Sequence, residues 1–504
     1  MKVALVFNPF SYKAHEENLK TVQRYFGLFP PLSLAWVAGI IRKAGHDATI
    51  IDARTLRLTK QEVAEKLKIY KPDIIGSMMT TYMFPETLSW MKYLKKELEN
   101  SGLKPKILIG GYNLRVYPKE SLSHSEIDFG CLEHAYFTVP ALLKELSTGN
   151  NNFASVPGLI WKNNGAITIN PHPEKVVFDD FPSPARDLLP NELYAEFPTR
   201  EKNFTVMVTS LGCPFKCSFC EAGGCEYNPR SPETVVAEMK ECVERYGIRE
   251  IDIFDYEFTA DKKRVEKICE LIMQNNLKFH WICRSRIDTV DKELLSVMHK
   301  AGCRRIYWGI EHGCQSVLDS LNKGITLDQV RQTIRLSRET GIKNLGFFLV
   351  GVPGETRETV KQTLEFAKEL DLEYVQFSKL LAKPLTPLWK DMVSQAGKDY
   401  WSDWVLGKEK DRELPRPWLE NLKNNDVDTL AKWAYINYHS RLGFLLRHAF
   451  ECGSIWELTR KALAYFEMVF VQEDKPVADG KFRAYSENIF KVLLKKLQWV
   501  KNNG

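Results

Sequence analysis

Cys213, Cys217 and Cys220 stand in the run Leu211-Gly212-Cys213-Pro214-Phe215-Lys216-Cys217-Ser218-Phe219-Cys220, with three and then two residues between successive sulfurs. Thiolates at that spacing on one short loop suit an iron–sulfur cluster. A cubane takes four thiolate ligands, and no obvious fourth lies beside these three, so one iron would keep open positions for a substrate or cofactor. Cys225 follows five residues on, beyond Glu221-Ala222-Gly223-Gly224, which leaves a four-cysteine zinc site or a redox-only cluster as the alternative. Structural zinc usually draws two paired knuckles separated by a longer loop, a pattern absent here. Disulfides fit least, because the eleven cysteines are odd in number, no secretory signal opens the chain and a reducing interior is expected.

The residues that must position this loop form a recurring pattern. Phe204-Thr205-Val206-Met207-Val208-Thr209-Ser210 reads as a strand delivering the cysteines, and strand-like runs recur at 250–254, 278–283, 304–309, 345–350 and 373–378 with helical patterns between them. Six parallel strands with intervening helices predict an incomplete (β/α)6 barrel, with chemistry at the carboxyl ends of its strands. Charged residues gather at those ends: Asp255 and Glu257, then Arg284 and Arg286, then Glu311 followed by His312, and finally the turn Phe347-Phe348-Leu349-Val350-Gly351-Val352-Pro353-Gly354-Glu355. Singly, such residues are often structural ion pairs; their ordered succession is the stronger signal. His312 has no visible partner and reads as a ring filling the mouth, with a substrate-facing acid or base as the alternative.

The cysteine spacing and these strand ends resemble the radical S-adenosylmethionine (SAM) superfamily. The resemblance implies a [4Fe-4S] cluster on Cys213, Cys217 and Cys220, whose open iron chelates the amino acid end of SAM and whose electron cleaves it to a 5′-deoxyadenosyl radical. It further implies that Phe219 lies against the cofactor, that Asp255 and Glu257 hold the SAM amine, and that arginine (Arg284 or Arg286) grips its carboxylate. Glu311 would take the ribose hydroxyls, and the turn around Phe347 and Gly351 would support adenine.

The first 148 residues alternate strand and helix: strands at Met1-Lys2-Val3-Ala4-Leu5-Val6-Phe7, at 47–52, at 73–77 and at 106–111, with helices from Pro30, over 61–69 and from Pro85. This predicts a doubly wound, Rossmann-like parallel sheet whose ligand sits beyond the strand carboxyl ends, at Asn8-Pro9, Ser77 to Tyr82, Gly110-Gly111-Tyr112 and Gly130-Cys131-Leu132-Glu133. No Gly-x-Gly-x-x-Gly follows the first strand, so a dinucleotide site is not supported. These segments resemble the cobalamin-binding domain of the B12-binding radical SAM enzymes. The resemblance implies corrin contacts from Ser77, Thr80, Thr81, Gly110, Gly111, Tyr112 and Glu133, with the double glycine admitting a bulky ring. Asp-x-His-x-x-Gly is absent, which implies base-off binding without a lower histidine ligand. The bland alternative is an α/β module that merely packs on the barrel. Cys131 and His134 are read as turn residues rather than a metal pair.

Residues 149–200, with the turn signal Asn163-Asn164-Gly165 and a proline-rich stretch after Phe181, read as an interdomain linker between domain 1–148 and a radical SAM domain over 201–390. Residues 391–504 read as a mainly helical domain. Its Trp401, Trp404, Trp418, Trp433, Tyr435, Tyr438 and Trp456 either line an apolar pocket or anchor helices on the barrel. Ser486 to Lys501 is a basic amphipathic helix that docks on the protein or rests on a membrane surface.

At 504 residues, 44% apolar and 27% charged, the chain reads as globular with two or three domains. No run approaches the roughly 20 apolar residues of a membrane span, so a cytoplasmic protein, membrane-associated at most, is expected. A net charge of +6 without a basic tail gives no expectation of nucleic acid. The combined resemblance implies methylation of an unactivated carbon via methylcobalamin, with a small-molecule or lipid-like substrate and a reducing donor such as flavodoxin or ferredoxin. Radical cyclisation, rearrangement or oxidation of a tetrapyrrole, lipid or natural product is the first alternative. A tRNA modifier fits less well, since Cys131 is the only cysteine before Cys213. An iron–sulfur ligand sensor would not need the strand-end charges.

Overall fold

The computed structural model describes residues 1–10, 28–172, 176–195, 203–409 and 416–444. The N-terminal sheet contains β1 (Lys2–Phe7), β2 (Asp47–Asp52), β3 (Ile74–Met78), β4 (Lys106–Gly110), β5 (Phe129–Cys131), β6 (Leu159–Asn163) and β7 (Ala166–Ile169), in the order β2-β1-β3-β4-β5-β6-β7. The first five strands are parallel with near-continuous apolar runs, as strands covered on both faces must be. Their 2-1-3-4-5 order reverses between β1 and β3, the place where open α/β sheets bind ligands. Helices cover both faces, and Leu34, Ala35 and Ile41 on one side and Leu67, Met91 and Leu94 on the other fall in separate apolar clusters.

The linker expectation for 149–200 needs correction. β6 and β7 form an antiparallel hairpin that pairs with β5 and extends the sheet. Phe129, Phe153 and Trp161 interlock there edge to face, so aromatic burial holds the hairpin where its turn residues alone suggested a free connector. Further on, Arg186 is buried on the second domain, donating to Thr205 Oγ1 (2.7 Å), the Val206 carbonyl (2.8 Å) and Glu238 Oε1 (2.7 Å). Arg230 holds the other Glu238 oxygen at 2.5 Å.

The second sheet is an open half-barrel of six parallel strands: β8 (Phe204–Met207), β11 (Glu250–Ile253), β12 (His280–Ser285), β13 (Cys303–Glu311), β14 (Lys343–Val350) and β15 (Tyr374–Lys379), in the order β15-β14-β13-β12-β11-β8. Between β8 and β11 the chain makes a two-stranded antiparallel hairpin, β9 (Ser210–Cys213) and β10 (Cys225–Pro229). Alternation along the strands sends Ile306, Trp308 and Phe348 to the helical layer, and Tyr307, Leu345 and Phe347 into a small cluster with Ile282 and Tyr374.

Among the described residues, the C-terminal helices do not form a separate domain. Helix Asn424–His439 packs on β15 and on helix Arg357–Leu370, with Tyr438 Oη donating to the Leu372 carbonyl at 2.7 Å. Helix Tyr400–Val405 packs instead on the N-terminal domain, joined by Trp404 Nε1 to the Thr81 carbonyl (3.1 Å), Tyr117 Oη to Asp399 Oδ2 (2.9 Å) and His124 Nε2 to the Val405 carbonyl (2.8 Å). The tryptophans there are anchors first. Trp456 and the segment 486–501, expected as a basic amphipathic helix, lie outside the described residues. No described helix is long and apolar enough to cross a membrane.

Candidate active site

The cysteine loop is held by backbone close approach. Gly212 has φ +71°, and a Cβ there would lie 2.0 Å from the Glu226 carbonyl oxygen across the hairpin. Gly223 closes the loop, since a Cβ on it would meet the Cys217 and Cys220 carbonyl oxygens at 2.9 and 3.1 Å. Ser218 N–H donates to the Leu321 carbonyl (3.1 Å) and Asn322 Nδ2 to the Lys216 carbonyl (2.7 Å), tying the loop to the segment after β13. Phe219 packs beside Val317, Leu321 and Val352, an apolar anchor for the last cysteine.

Cys213 and Cys217 are buried and Cys220 is half-buried. Burial pushes the Cys220 thiol up to about 11 and raises Cys213 as well, so metal coordination must displace their protons. Cys225 lies opposite Cys213 in the hairpin and its Sγ is 3.6 Å from the Glu221 carbonyl. Among the described residues no group of three or more Cys, His, Asp or Glu side chains is gathered as a single metal ion requires. Three cysteines on one turn, with the Arg286 Nη1 donor 3.5 Å from Cys217 Sγ, fit a larger thiolate-bound cluster.

The strand-end charges are arranged as a braced network. Both Asp255 oxygens are spent on the first strand's end, accepting from Thr209 N–H (2.6 Å), Thr209 Oγ1 (2.5 Å) and Ser210 Oγ (2.7 Å). Glu257 accepts from Arg286 N–H (2.6 Å), Thr259 Oγ1 (2.6 Å) and Thr289 Oγ1 (3.2 Å). Burial raises it to about 7 against these hydrogen bonds. Arg284 pairs with both oxygens of Asp252 (2.5 and 3.0 Å) beneath the Phe254 ring. Glu311, at φ +72°, accepts from the buried ammonium of Lys323 at 2.8 Å. Gly309 makes room for that pair, since a Cβ there would sit 2.7 Å from Glu311 Oε1 and 2.8 Å from Lys323 Nζ.

His312 fills the interior of this end, fully buried, with Nε2 3.1 Å from Glu355 Oε1 and Nδ1 accepting from Cys314 N–H at 3.1 Å. Glu355 also accepts from Gly351 N–H at 2.6 Å, so it fixes the turn after β14. Gly351 has φ +85° and a Cβ there would press on Val427 at 2.9 Å. Thr356 caps the following helix, accepting from Thr359 N–H at 3.2 Å. Phe347 meets Tyr307 edge to face at 5.8 Å.

The N-terminal sheet faces this end across a cleft lined by Thr80, Thr81, Tyr82, Tyr112, Glu221, Leu381, Lys383, Pro384 and Trp401. Tyr112 Oη donates to the Pro384 carbonyl at 2.8 Å and closes one side. The Thr80 and Thr81 hydroxyls are buried there with no hydrogen-bond partner, a donor set that suits a polar ligand and fits a corrin rim. Other expected corrin contacts are placed differently. Ser77 Oγ is spent on the Val6 carbonyl (2.9 Å), and Glu133 pairs with Arg115 and His172 outside the cleft lining. Of the double glycine, Gly111 serves the fold: a Cβ there (φ +105°) would strike the Met79 carbonyl oxygen at 2.6 Å, whereas one on Gly110 meets only Cys131 Cβ, at 3.8 Å.

Sequence reasoning missed Lys323, Glu221 and Lys383, and it named Glu355 only as the end of the turn after β14, without its bond to His312. Only Glu221, one residue past the last cysteine, carried a local signal.

Comparison with known proteins agrees with this geometry. The radical SAM superfamily model matches residues 207–367, and the B12 binding domain model matches residues 20–143. An uncharacterized methyltransferase of Pyrococcus horikoshii is 32% identical over 90% of this chain and 95% of its own length. The anaerobic magnesium-protoporphyrin IX monomethyl ester cyclase of Cereibacter sphaeroides is 28% identical over 84% of this chain and 71% of its own. Among solved structures, the radical SAM methyltransferase TsrM of Kitasatospora setae, with cobalamin and a [4Fe-4S] cluster bound, superposes with a TM-score of 0.61 at 21% identity, covering 78% of this chain and 75% of that one. A three-cysteine loop at the mouth of a half-barrel, facing a cobalamin-type sheet across a shared cleft, places the chain in the cobalamin-dependent radical SAM enzyme family, with a [4Fe-4S] cluster, SAM and cobalamin as its cofactors.

Proposed function

We propose that the enzyme methylates an unactivated carbon of a small or lipid-like molecule. The observation that carries this reading is the cleft: Thr80, Thr81 and Tyr112 from the sheet share one cavity with Glu221, the neighbour of Cys220, and with Lys383. A group held on the sheet and a group held at the cysteine loop therefore reach the same substrate. When bound, the cluster supplies the electron that cleaves SAM, and the corrin carries the methyl group.

The chain's own residues position and enclose. Trp401, with Nε1 anchored on the Ala382 carbonyl at 3.0 Å, and Tyr82 give the cleft an apolar wall suited to excluding water. Glu257 and Glu311 are the proposed carboxylates for the SAM amine and ribose, each already oriented by donors. Phe219, Phe347 and Gly351 are proposed to shape the SAM site from behind. Asp255 and Arg284, both fully engaged with neighbouring strands, would brace it. Flavodoxin or ferredoxin is the proposed class of electron donor.

Cyclisation is the second reading, favoured by the likeness to the magnesium-protoporphyrin ester cyclase. The two are separated by incubating reduced holoenzyme with methyl-deuterated SAM and a small-molecule extract of the producing cells. Methyl transfer yields a trideuteromethylated product together with S-adenosylhomocysteine and 5′-deoxyadenosine. Accumulation of 5′-deoxyadenosine with no deuterated product and no S-adenosylhomocysteine would reject it.

A further inference from the structure

Arg286 is locked on every side. Its backbone N–H donates to Glu257 Oε2 (2.6 Å), and its guanidinium lies 4.0 Å above the ring of Phe215, a residue of the cysteine loop itself. Nε and Nη2 donate to the two oxygens of Asp288, each at 2.9 Å, and Nη2 also donates to the Lys323 carbonyl at 2.6 Å. The edge that remains, Nη1, donates to Cys217 Sγ at 3.5 Å. With the residue only 6% exposed, this geometry leaves little of the guanidinium to offer a SAM carboxylate.

We infer that Arg286 is a positioning residue for the cluster, acting through Cys217 rather than as the grip for SAM. An N–H donor on a cluster sulfur favours the more negative, reduced state and so raises the reduction potential. Asp288 balances the guanidinium charge, so the influence is that of a directed N–H dipole. Phe215 ties that dipole to the loop that carries the sulfur. Glu257 acts one step further back, by fixing the backbone from which the guanidinium projects.

The test is a one-electron titration of the anaerobically reconstituted full-length protein against titanium(III) citrate, without SAM, followed by electron paramagnetic resonance. Arg286→Met should lower the cluster midpoint potential while iron and sulfide content and SAM affinity stay close to wild type. Asp288→Asn, which leaves the guanidinium charge unbalanced, should raise it. An unmoved midpoint in a fully loaded Arg286→Met protein overturns the inference, and so does a selective loss of SAM affinity. If Arg286→Met fails to load its cluster, Asp288→Asn decides, because it keeps Arg286 and the three cysteines: a higher midpoint supports the inference and an unchanged one overturns it. The inference rests on ligation by Cys217, which is checked separately, since a Cys217→Ala protein that still assembles the cluster would refute the ligand set itself.

Discussion

The carboxyl ends of the two sheets are built on opposite terms. At the half-barrel, nearly every charge is already answered by a neighbour: Asp255 by Thr209 and Ser210, Arg284 by Asp252, Glu311 by Lys323, Arg286 by Asp288. At the N-terminal sheet, the hydroxyls of Thr80 and Thr81 are buried with no partner in the protein. A buried polar group without a hydrogen bond costs stability, so that end retains a cost which a ligand can remove, whereas the barrel end is preorganised for charge before any ligand arrives. Removing a side chain should therefore weaken the fold at one end and only the ligand at the other.

The largest effect belongs to the cysteine loop. Cys217→Ala should reduce cluster iron and 5′-deoxyadenosine formation to background together, read by iron assay and chromatography; cleavage that survives would break the ligand assignment.

Next come the buried ion pairs that hold the half-barrel. Glu373, against the opposing effect of burial, is held down to about 2 by Arg305 and Lys343. Its folded value lies below the ordinary glutamate value of 4.5, so it contributes stability above that pH, and the contribution is lost as pH falls toward 2. Glu373→Gln should cost about 3–5 kcal/mol near neutral pH, with the gap to wild type narrowing below pH 4.5 in denaturant titrations. A gap independent of pH would show that the charge is not what stabilises.

A smaller pair of effects tests the contrast itself. Thr259→Val strips a donor from Glu257 and should destabilise the apoprotein by about 1–3 kcal/mol. Thr80→Val with Thr81→Val should leave apoprotein stability within about 0.5 kcal/mol of wild type or slightly raise it, since no protein hydrogen bond is lost. Equal destabilisation at the two ends would erase the distinction. Between these two falls Trp404→Phe, which removes the bond to the Thr81 carbonyl and should cost about 1 kcal/mol in thermal unfolding.

Much of this arrangement was legible because it is local. The cysteine loop is read from ten consecutive residues, Leu211 to Cys220, and the half-barrel strands from short apolar runs between helical patterns. The order of charges at the strand ends followed from the strands. What stayed hidden is long-range. Tyr112 meets Pro384 across 272 positions, and Trp404 meets Thr81 across 323, so neither the cleft nor the docking of helix Tyr400–Val405 leaves a periodic signal. The hairpin of β6 and β7 was visible as a turn, but its pairing with β5 depends on Phe153 and Trp161 finding Phe129. Lys323 sits in Leu321-Asn322-Lys323-Gly324, which looks like a solvated turn until Gly309 leaves the space that buries it. The double glycine was legible as a special backbone, but that Gly111 packs on Met79 was not, because Met79 lies just past the preceding strand's end.

The most direct test of the shared cleft is corrin retention. Wild type and the Thr80→Val, Thr81→Val protein are reconstituted anaerobically with iron and sulfide, loaded with hydroxocobalamin, desalted and compared by absorbance. Wild type should keep stoichiometric corrin, and the double variant should lose most of it with the cluster intact. Equal retention by both, or loss of corrin from wild type with its cluster intact, would contradict it.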